Sequence, residues 1–277
     1  MGYLPLLAAA GLIDPIDESL VPNLKDCEPL FRDDPNVIVN GTRYSVPFTW
    51  GSAPMMYDPA VTGKAPEAWA DLWKPEFKGK VGMMDDPVGN MMLAALLATD
   101  AKVPTLLTKD QLKQAEDYLT KLKKEQVRVV AVSWGDLADA LSRGDVAITF
   151  SGWETIKKFC ADKGKKIEYI YPKEGTFAWL DSYCIAKSAP NREIDHKLCN
   201  KIIGVPAQVK IGDELLQGIV NKEAIANLKT SKTIYPYDDL ASFSQKARMF
   251  GFPPLKSDGT HTTWQDWQDA YQRFKAS

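Results

Sequence analysis

Apolar and polar positions alternate along the chain between a helical and a strand period. The segment TKDQLKQAEDYLTKLKKEQ begins with a capping box between Thr108 and Gln111 and then repeats apolar side chains at helical spacing. The apolar positions are Leu112, Ala115, Leu119 and Leu122. This pattern predicts a surface helix with one buried face.

The segments that follow predict an alternation of strands and helices. VRVVAV is a β-branched run typical of a buried strand, SWGDLADALSRGD is a helix capped by Ser133, and VAITF is a second strand. Further on, KIEYIYP and FAWLDSYCIAK read as strands, whereas EIDHKLCNKIIG and the terminal TWQDWQDAYQRFKAS read as helices. The order strand, helix, strand indicates a parallel layer, so the predicted fold class is α/β. Periodicity alone does not show two lobes.

The start of the sequence shows no clear targeting signal. YLPLLAAAGLI has the length of a signal-peptide core, but the first basic residue is Lys25, so an amphipathic helix ending near Gly11 is the favoured interpretation. No stretch approaches the roughly 20 apolar residues that span a bilayer.

Composition narrows the function classes. The 277 residues are 45% apolar and 25% charged, which is ordinary for a soluble globular protein. With 34 basic and 36 acidic residues the net charge is −2, which disfavours a nucleic acid or an anionic lipid as partner.

Cysteine and histidine are sparse and scattered. The four cysteines form no C-x-x-C pair and the two histidines lie far apart, which argues against a zinc site or a thioredoxin-like centre and predicts no metal and no cofactor. Cys184 and Cys199 could form a strand-to-helix disulfide in an oxidising compartment, although buried free thiols are the favoured alternative.

The strand FAWLDSYCIAK contains the most informative pair of residues. Trp179 and Asp181 are two residues apart, so both point to one face of an extended chain. The flanking positions are apolar, and an ionised aspartate buried among them would be costly without a cation. The pair therefore predicts a cationic partner for Asp181.

Four longer stretches resemble a known family. EAWADLWKPEFKGKVGMMDDP, RGDVAITFSGW, IEYIYPKEGTFAWLDSYCIAKSAPN and YSVPFTWGSAPMMYD are similar to segments of the spermidine/putrescine-type extracellular solute-binding proteins of ABC transporters. The likeness covers nearly all of the chain. It implies a type 2 periplasmic-binding-protein fold, a polyamine solute, a membrane permease as partner and a periplasmic location.

The resemblance also implies an arrangement of lobes. Members of the family fold as two α/β lobes joined by hinge strands and close on a ligand between them, and here YSVPFTWGSAPMMYD and FAWLDSYCIAK match the two crossings. Lobe 1 is then expected to comprise residues 1–51 and 181–226, and lobe 2 residues 52–180 and 227–277. By the same resemblance Asp181 receives an ammonium group and Trp179 covers the alkyl chain.

Further candidate ligand contacts come from strand ends. A polyamine needs carboxylates at intervals with aromatic faces between them, and Asp86 follows the strand KVGMM at its carboxyl end, the usual ligand side of an open sheet. The alternative for Asp86, or for its neighbour Asp85, is a helix cap. By resemblance Ser133 is a polar contact, for which a plain helix cap is an equal alternative.

Four aromatic residues complete the candidate wall. Phe150 stands where relatives often carry a ligand-covering tryptophan, with core packing as an even alternative, and Trp134 or Trp153 could take its place. Trp50 is expected to serve as hinge packing first and as a cleft wall second.

Departures from the family pattern bear on the ligand. Gly89 stands where spermidine binders carry a glutamate, QGIVNKEA replaces a tyrosine-bearing turn, and PPLKSDGTHTT shows no match to a late glutamine contact. Fewer acids make a diamine or another small cation as plausible as spermidine. Family members also extend further at the N-terminus, so lobe 1 is expected to be truncated, and a non-transporting fragment or partner-docking module is the alternative function.

An enzyme is the rival class. The sequence shows no Ser-His-Asp arrangement and no glycine-rich phosphate loop, so the chain is predicted not to be an enzyme.

Overall fold

Helices and strands are mixed throughout the chain, and they assemble into two units. The computed structural model describes residues 2–277. Unit 1 is formed by the residues up to Gly51 together with Ala178–Ser244 and Met249–Phe252. Unit 2 is formed by Ser52–Phe177, Gln245–Arg248 and Pro253–Ser277. The predicted α/β class is confirmed.

The strands and helices follow the predicted alternation, with short additional turns between them. In chain order the strands are β1 Ile13–Asp14, β2 Ile38–Val39, β3 Thr42–Arg43, β4 Val46–Ser52, β5 Met55–Tyr57, β6 Val81–Met84, β7 Val127–Ala131, β8 Ile148–Phe150, β9 Glu168–Ile170, β10 Thr176–Tyr183, β11 Ile185–Ala186, β12 Gly218–Ile219 and β13 Ala247–Met249. The α-helices are α1 Leu4–Ala9, α2 Pro29–Arg32, α3 Pro59–Thr62, α4 Pro87–Ala98, α5 Lys109–Glu125, α6 Trp134–Arg143, α7 Ile156–Ala161, α8 Arg192–Ile202, α9 Val205–Leu215, α10 Lys222–Ile225, α11 Leu240–Lys246 and α12 Trp264–Ala276.

The sheet of unit 2 has strand order β7-β6-β8-β5-β9. Strand β6 runs parallel to β7 and β8, which confirms the parallel layer expected from the strand, helix, strand order. Strands β5 and β9 extend the sheet in antiparallel fashion. The run VRVVAV becomes β7 at the edge of the sheet and stays partly exposed, because an edge strand has a neighbour on one side only. The prediction of a buried strand from its β-branched residues is therefore wrong for most of β7.

The helices of unit 2 form where their caps predict them. Thr108 Oγ1 accepts a hydrogen bond from the Gln111 N–H over 3.3 Å, and Gln111 Oε1 accepts one from the Thr108 N–H over 3.0 Å, so the predicted capping box is present. The apolar face of α5 is buried, as predicted. Helix α5 packs on α4, and the C-terminal helix α12 packs on both.

A tryptophan-centred core holds unit 1 together. Trp50 in β4 is fully buried, and its indole N–H donates to the Ile219 carbonyl over 2.8 Å. Its ring lies 4.9 Å from that of Phe31 and 4.8 Å from that of Phe243, measured between centroids. Gly218 lies against this indole, where an added Cβ would come within 2.8 Å of two ring atoms.

Two of the limits between the units fall inside the segments expected to cross between lobes. The chain changes unit between Gly51 and Ser52, and again between Phe177 and Ala178. The units differ from the expected lobes at residues 178–180, 227–244 and 249–252, which were expected in lobe 2 and lie in unit 1. For residues 227–244 the reason is aromatic packing: Tyr235, like Phe243, lies against Trp50, with 5.0 Å between the ring centroids of Tyr235 and Trp50. Those contacts are not visible as periodicity in the sequence.

Other sequence expectations concern the N-terminal helix and the cysteines. Helix α1 ends at Ala9, and Gly11 follows with a φ of +66°, close to the predicted stop. The four cysteines all lie in the described residues and are free thiols, Cys184 and Cys199 included. Burial raises the pKa of the Cys184 thiol to about 11. No helix within residues 2–277 is long and apolar enough to cross a membrane.

Candidate functional site

A cavity of about 220 Å³ in unit 1 brings Trp179 and Asp181 together. Both residues lie on β10 and line the cavity, together with Tyr3, Asp34 and Phe250 among others. Trp179 and Asp181 share a face of the extended strand, and the alternating residues Ala178, Leu180 and Ser182 line the cavity as well. The sequence predicted this pairing from spacing alone.

Asp181 is less enclosed than its apolar neighbours suggested. The residue is exposed, and its Oδ2 accepts a hydrogen bond from Thr49 Oγ1 over 3.3 Å. No ion pair to Asp181 is found among residues 2–277. The carboxylate is therefore tethered by a neutral hydroxyl and remains open to a cation from outside the chain.

The carboxyl ends of the parallel strands gather the polar candidates of unit 2. Asp85 and Asp86 follow β6, and Ser133 follows β7. The Asp85 N–H donates to the Ala131 carbonyl over 2.8 Å, which ties these two strand ends together. Both ends therefore meet at one edge of the sheet, as expected for parallel strands.

Asp86 caps helix α4. Its Oδ1 accepts hydrogen bonds from the N–H groups of Val88 and Gly89 over 3.1 and 3.0 Å. Burial raises the pKa of the Asp86 carboxyl, the two N–H groups lower it, and the neighbouring charge of Asp85 raises it. Asp85 itself pairs with Lys275 of α12 over 2.6 Å. The cap alternative is thus realised by Asp86, while its second oxygen is left for another partner.

Ser133 caps α6 and is exposed. Its Oγ accepts from the Asp136 N–H over 3.1 Å and donates to Asp136 Oδ2 over 2.8 Å. The adjacent Trp134 packs on Trp153, with 5.8 Å between ring centroids. Trp134 is partly exposed and Trp153 is buried, so Trp134 is the more accessible ring of this pair.

Two candidate wall residues are core residues. Phe150 is fully buried and packs against Trp69 and Tyr118, with centroid distances of 5.6 and 6.1 Å. Trp50 is fully buried in unit 1. A solute cannot touch either ring in this structure, because neighbouring aromatic rings already cover them. The packing alternative therefore describes both.

Sequence analysis did not predict a hydrogen-bond network centred on Asn90 at the ends of β6 and β8. Asn90 Nδ2 donates to the Met84 carbonyl over 2.6 Å and to Tyr271 Oη over 3.2 Å, while Asn90 Oδ1 accepts from Ser151 Oγ over 3.3 Å. Ser151 has a φ of +63°, a conformation that is uncommon for serine and clusters at functional sites. The sequence signal that could have identified Ser151 is its position directly after the end of strand β8.

A buried glutamate was also missed. Glu154 is fully buried and accepts hydrogen bonds from the Ser52 N–H over 3.1 Å and from Tyr171 Oη over 2.9 Å, with a further short bond from Ser52 Oγ. Burial raises the pKa of Glu154 to about 7, although the bonds from Ser52 and Tyr171 lower it. Ser52 is the residue at which the chain enters unit 2, so this network anchors the start of that unit.

The predicted site residues are shared between the units. Unit 1 holds Trp50, Trp179 and Asp181, and unit 2 holds Asp86, Ser133, Trp134, Phe150 and Trp153. The candidate residues are therefore described within each unit, around a cavity in the first and at a sheet edge in the second.

Comparison with known proteins gives the family. Residues 2–195 match the family described as bacterial extracellular solute-binding protein. The chain is 26% identical over 280 residues to the spermidine/putrescine-binding periplasmic protein 1 of Haemophilus influenzae, covering 99% of this chain and 73% of that protein. It is 29% identical over 248 residues to the spermidine/putrescine-binding periplasmic protein of Escherichia coli, covering 84% of this chain and 66% of that protein.

A solved structure shows the same fold. The spermidine/putrescine ABC transporter substrate-binding protein PotD of Streptococcus pneumoniae superimposes with a TM-score of 0.79 at 19% identity, covering 99% of this chain and 81% of that chain. The family resemblance seen in the sequence motifs is confirmed, and the family match extends over most of the chain. The chain therefore belongs to the bacterial extracellular solute-binding proteins.

Proposed function

We propose that this chain captures a small cationic amine, of the putrescine and spermidine class, as the solute-binding component of an ABC importer. The observation that carries the proposal is the pairing of Trp179 and Asp181 on one cavity of unit 1. The carboxylate has no cationic partner within residues 2–277, and the indole beside it supplies an apolar and π-electron face.

The chemistry of a polyamine fits this pair. An alkylammonium group has three N–H donors and no acceptor, so it needs oxygen acceptors with negative charge. The methylene chain between two ammonium groups needs an apolar cover, and an aromatic face provides both that cover and cation–π attraction. Asp181 and Trp179 supply these two requirements side by side.

The relatives support this solute class. The matched proteins of Haemophilus influenzae and Escherichia coli carry spermidine and putrescine in their names, and the putrescine-binding PotF of Escherichia coli is 26% identical over 264 residues. Gly89 leaves no room for an additional acid beside Asp86, because an added Cβ would lie 2.1 Å from Asp86 Oδ2. We therefore expect a solute with one or two positive charges to compete as well as spermidine.

The wider role follows from the family. An extracellular solute-binding protein delivers its ligand to a membrane permease, so we infer a permease partner and a periplasmic location for this chain. We also infer binding without turnover. Both histidines serve structural contacts: His196 Nε2 accepts from the Asp17 N–H over 2.9 Å, and His261 Nδ1 lies 2.7 Å from Asp258 Oδ2.

Substitution of Asp181 tests the proposal. Loss of one partner from a charge pair that is buried in the complex costs about 2–5 kcal/mol, so if the bound solute covers Asp181, Asp181→Asn should weaken putrescine binding at least about tenfold in a calorimetric titration. Asp238→Asn is the matched control, since Asp238 is an exposed aspartate of unit 1 outside the cavity. An equal dissociation constant for wild type and Asp181→Asn would remove Asp181 from the site.

A further inference from the structure

The cavity of unit 1 contains a second carboxylate that sequence analysis did not single out. Asp34 lines the cavity and is 8% exposed. Its Oδ1 accepts hydrogen bonds from the backbone N–H and the side-chain Nδ2 of Asn36, both over 2.8 Å. Among residues 2–277 no hydrogen bond or ion pair reaches its Oδ2.

Asp14, another buried aspartate of unit 1, differs from Asp34 in having cationic partners. Asp14 is 3% exposed, and its two carboxylate oxygens pair with Lys187 and Arg192, each over 2.8 Å. That buried charge is compensated by the protein itself. None of the described residues that line the cavity of Asp34 and Asp181 is a lysine, arginine or histidine. A buried carboxylate without a counter-charge is costly, so the cavity is prepared for a cation that the chain does not supply.

An unused hydroxyl group gives independent support. Ser45 lines the same cavity, is fully buried, and its Oγ has no hydrogen-bond partner among the described residues. A buried hydroxyl without a partner is uncommon in native structures and calls for an explanation. A ligand that donates hydrogen bonds would satisfy both Ser45 Oγ and Asp34 Oδ2.

We propose that Asp34 and Ser45 form a second ammonium subsite in this cavity, so that the solute is a short aliphatic diamine with one ammonium group at Asp34 and the other at Asp181. Two uncompensated carboxylates match two positive charges. A cavity of about 220 Å³ is smaller than the roughly 300–1,000 Å³ that holds drug-sized ligands, which favours a short diamine. The aromatic side chains of Tyr3, Trp179 and Phe250 line the space around the methylenes.

This inference rests on the proposed function. Two ligands distinguish a failure of the subsite from a failure of the proposed function. Putrescine carries two ammonium groups, whereas butylamine has the same chain length and carries one. Asp34→Asn should weaken putrescine binding at least about tenfold and leave butylamine binding nearly unchanged, because butylamine needs Asp181 only. The asparagine retains the Oδ1 acceptor for Asn36. Asp33→Asn is the matched control: it removes the same charge one residue away, from a carboxylate already paired with Arg32 and outside the cavity.

A second variant, Ser45→Ala, tests the subsite if Asp34→Asn does not fold. Since Ser45 Oγ bonds to no described residue, Ser45→Ala should fold with unchanged or higher thermal stability and still bind putrescine about three- to tenfold more weakly. If wild type binds putrescine and neither Asp34→Asn nor Ser45→Ala changes its affinity, the subsite is overturned and the proposed function remains intact. Absence of binding of both amines to the wild-type protein would overturn the proposed function itself.

Discussion

Gly89 and Asp86 occupy each other's space at the start of α4. The Gly89 N–H donates to Asp86 Oδ1 over 3.0 Å, and an added Cβ at Gly89 would lie 2.1 Å from Asp86 Oδ2. The same Cβ would lie 2.6 Å from Cζ of Phe177. Any residue larger than glycine must therefore displace the capping carboxylate or a buried ring, and a glutamate at this position needs that rearrangement.

Gly89→Ala should destabilise the protein. The methyl group must displace either the capping carboxylate or the Phe177 ring, and overpacking of this kind costs about 1–3 kcal/mol in the free energy of unfolding. Urea denaturation measures the change. Gly135→Ala in α6 is the control, because its added Cβ would meet only Ser133 Oγ at an ordinary 3.6 Å. Equal stability of Gly89→Ala and wild type would show that Asp86 and Phe177 are not held in place.

Two substitutions at Asp86 separate its cap from its proposed ligand contact. Asp86→Asn keeps an oxygen for the Val88 and Gly89 N–H groups, so it should leave stability within about 0.5 kcal/mol of wild type. If Asp86 also contacts the solute, this variant should lose amine affinity, because the charge is gone. Asp86→Ala should in addition lose about 0.5–2 kcal/mol of stability through the missing cap. Unchanged amine affinity in Asp86→Asn would restrict Asp86 to capping.

Glu154 should make stability depend on pH. Its pKa is raised from 4.5 to about 7 in the folded protein, so the native state holds the proton more tightly than the unfolded chain. The stabilisation is complete below pH 4.5 and is lost as pH rises to about 7, by up to about 3 kcal/mol. Glu154→Gln stays neutral and should lack this decline.

Denaturant titrations between pH 4.5 and 8 measure the difference between the two proteins. The exposed Glu125 of α5 provides the control, since Glu125→Gln should leave the shape of the wild-type pH curve unchanged. Parallel pH curves for wild type and Glu154→Gln would contradict a protonated Glu154 in the native state.

Local signals in the sequence predicted the elements and the position of some candidate residues within them. The Thr108 and Gln111 capping box, the strand alternation at Trp179 and Asp181, and the Ser133 cap depend on neighbours within a few residues, and the structure contains them. The motifs also identified the family. Such short-range patterns are legible because capping and side-chain alternation follow from local backbone geometry.

Long-range contacts could not be predicted in this way. Glu154 meets Ser52 across 102 positions of sequence, and Asn90 meets Tyr271 across 181. Asp34 was passed over because nothing near it in the sequence marks a cavity. Phe150 was left open between a solute contact and core packing, and its burial is set by Trp69 and Tyr118. These pairings depend on how elements pack, which periodicity does not encode.

A calorimetric titration of the unmodified chain with putrescine, spermidine and the neutral isostere 1,4-butanediol tests amine recognition most directly. If the carboxylates of Asp34 and Asp181 bind the ammonium groups as proposed, both amines should bind with a 1:1 stoichiometry, putrescine at least as tightly as spermidine, and the diol should give no heat of binding. Binding of the diol as tightly as the diamine, or no binding of either amine, would contradict the assignment of this chain as a receptor for small cationic amines.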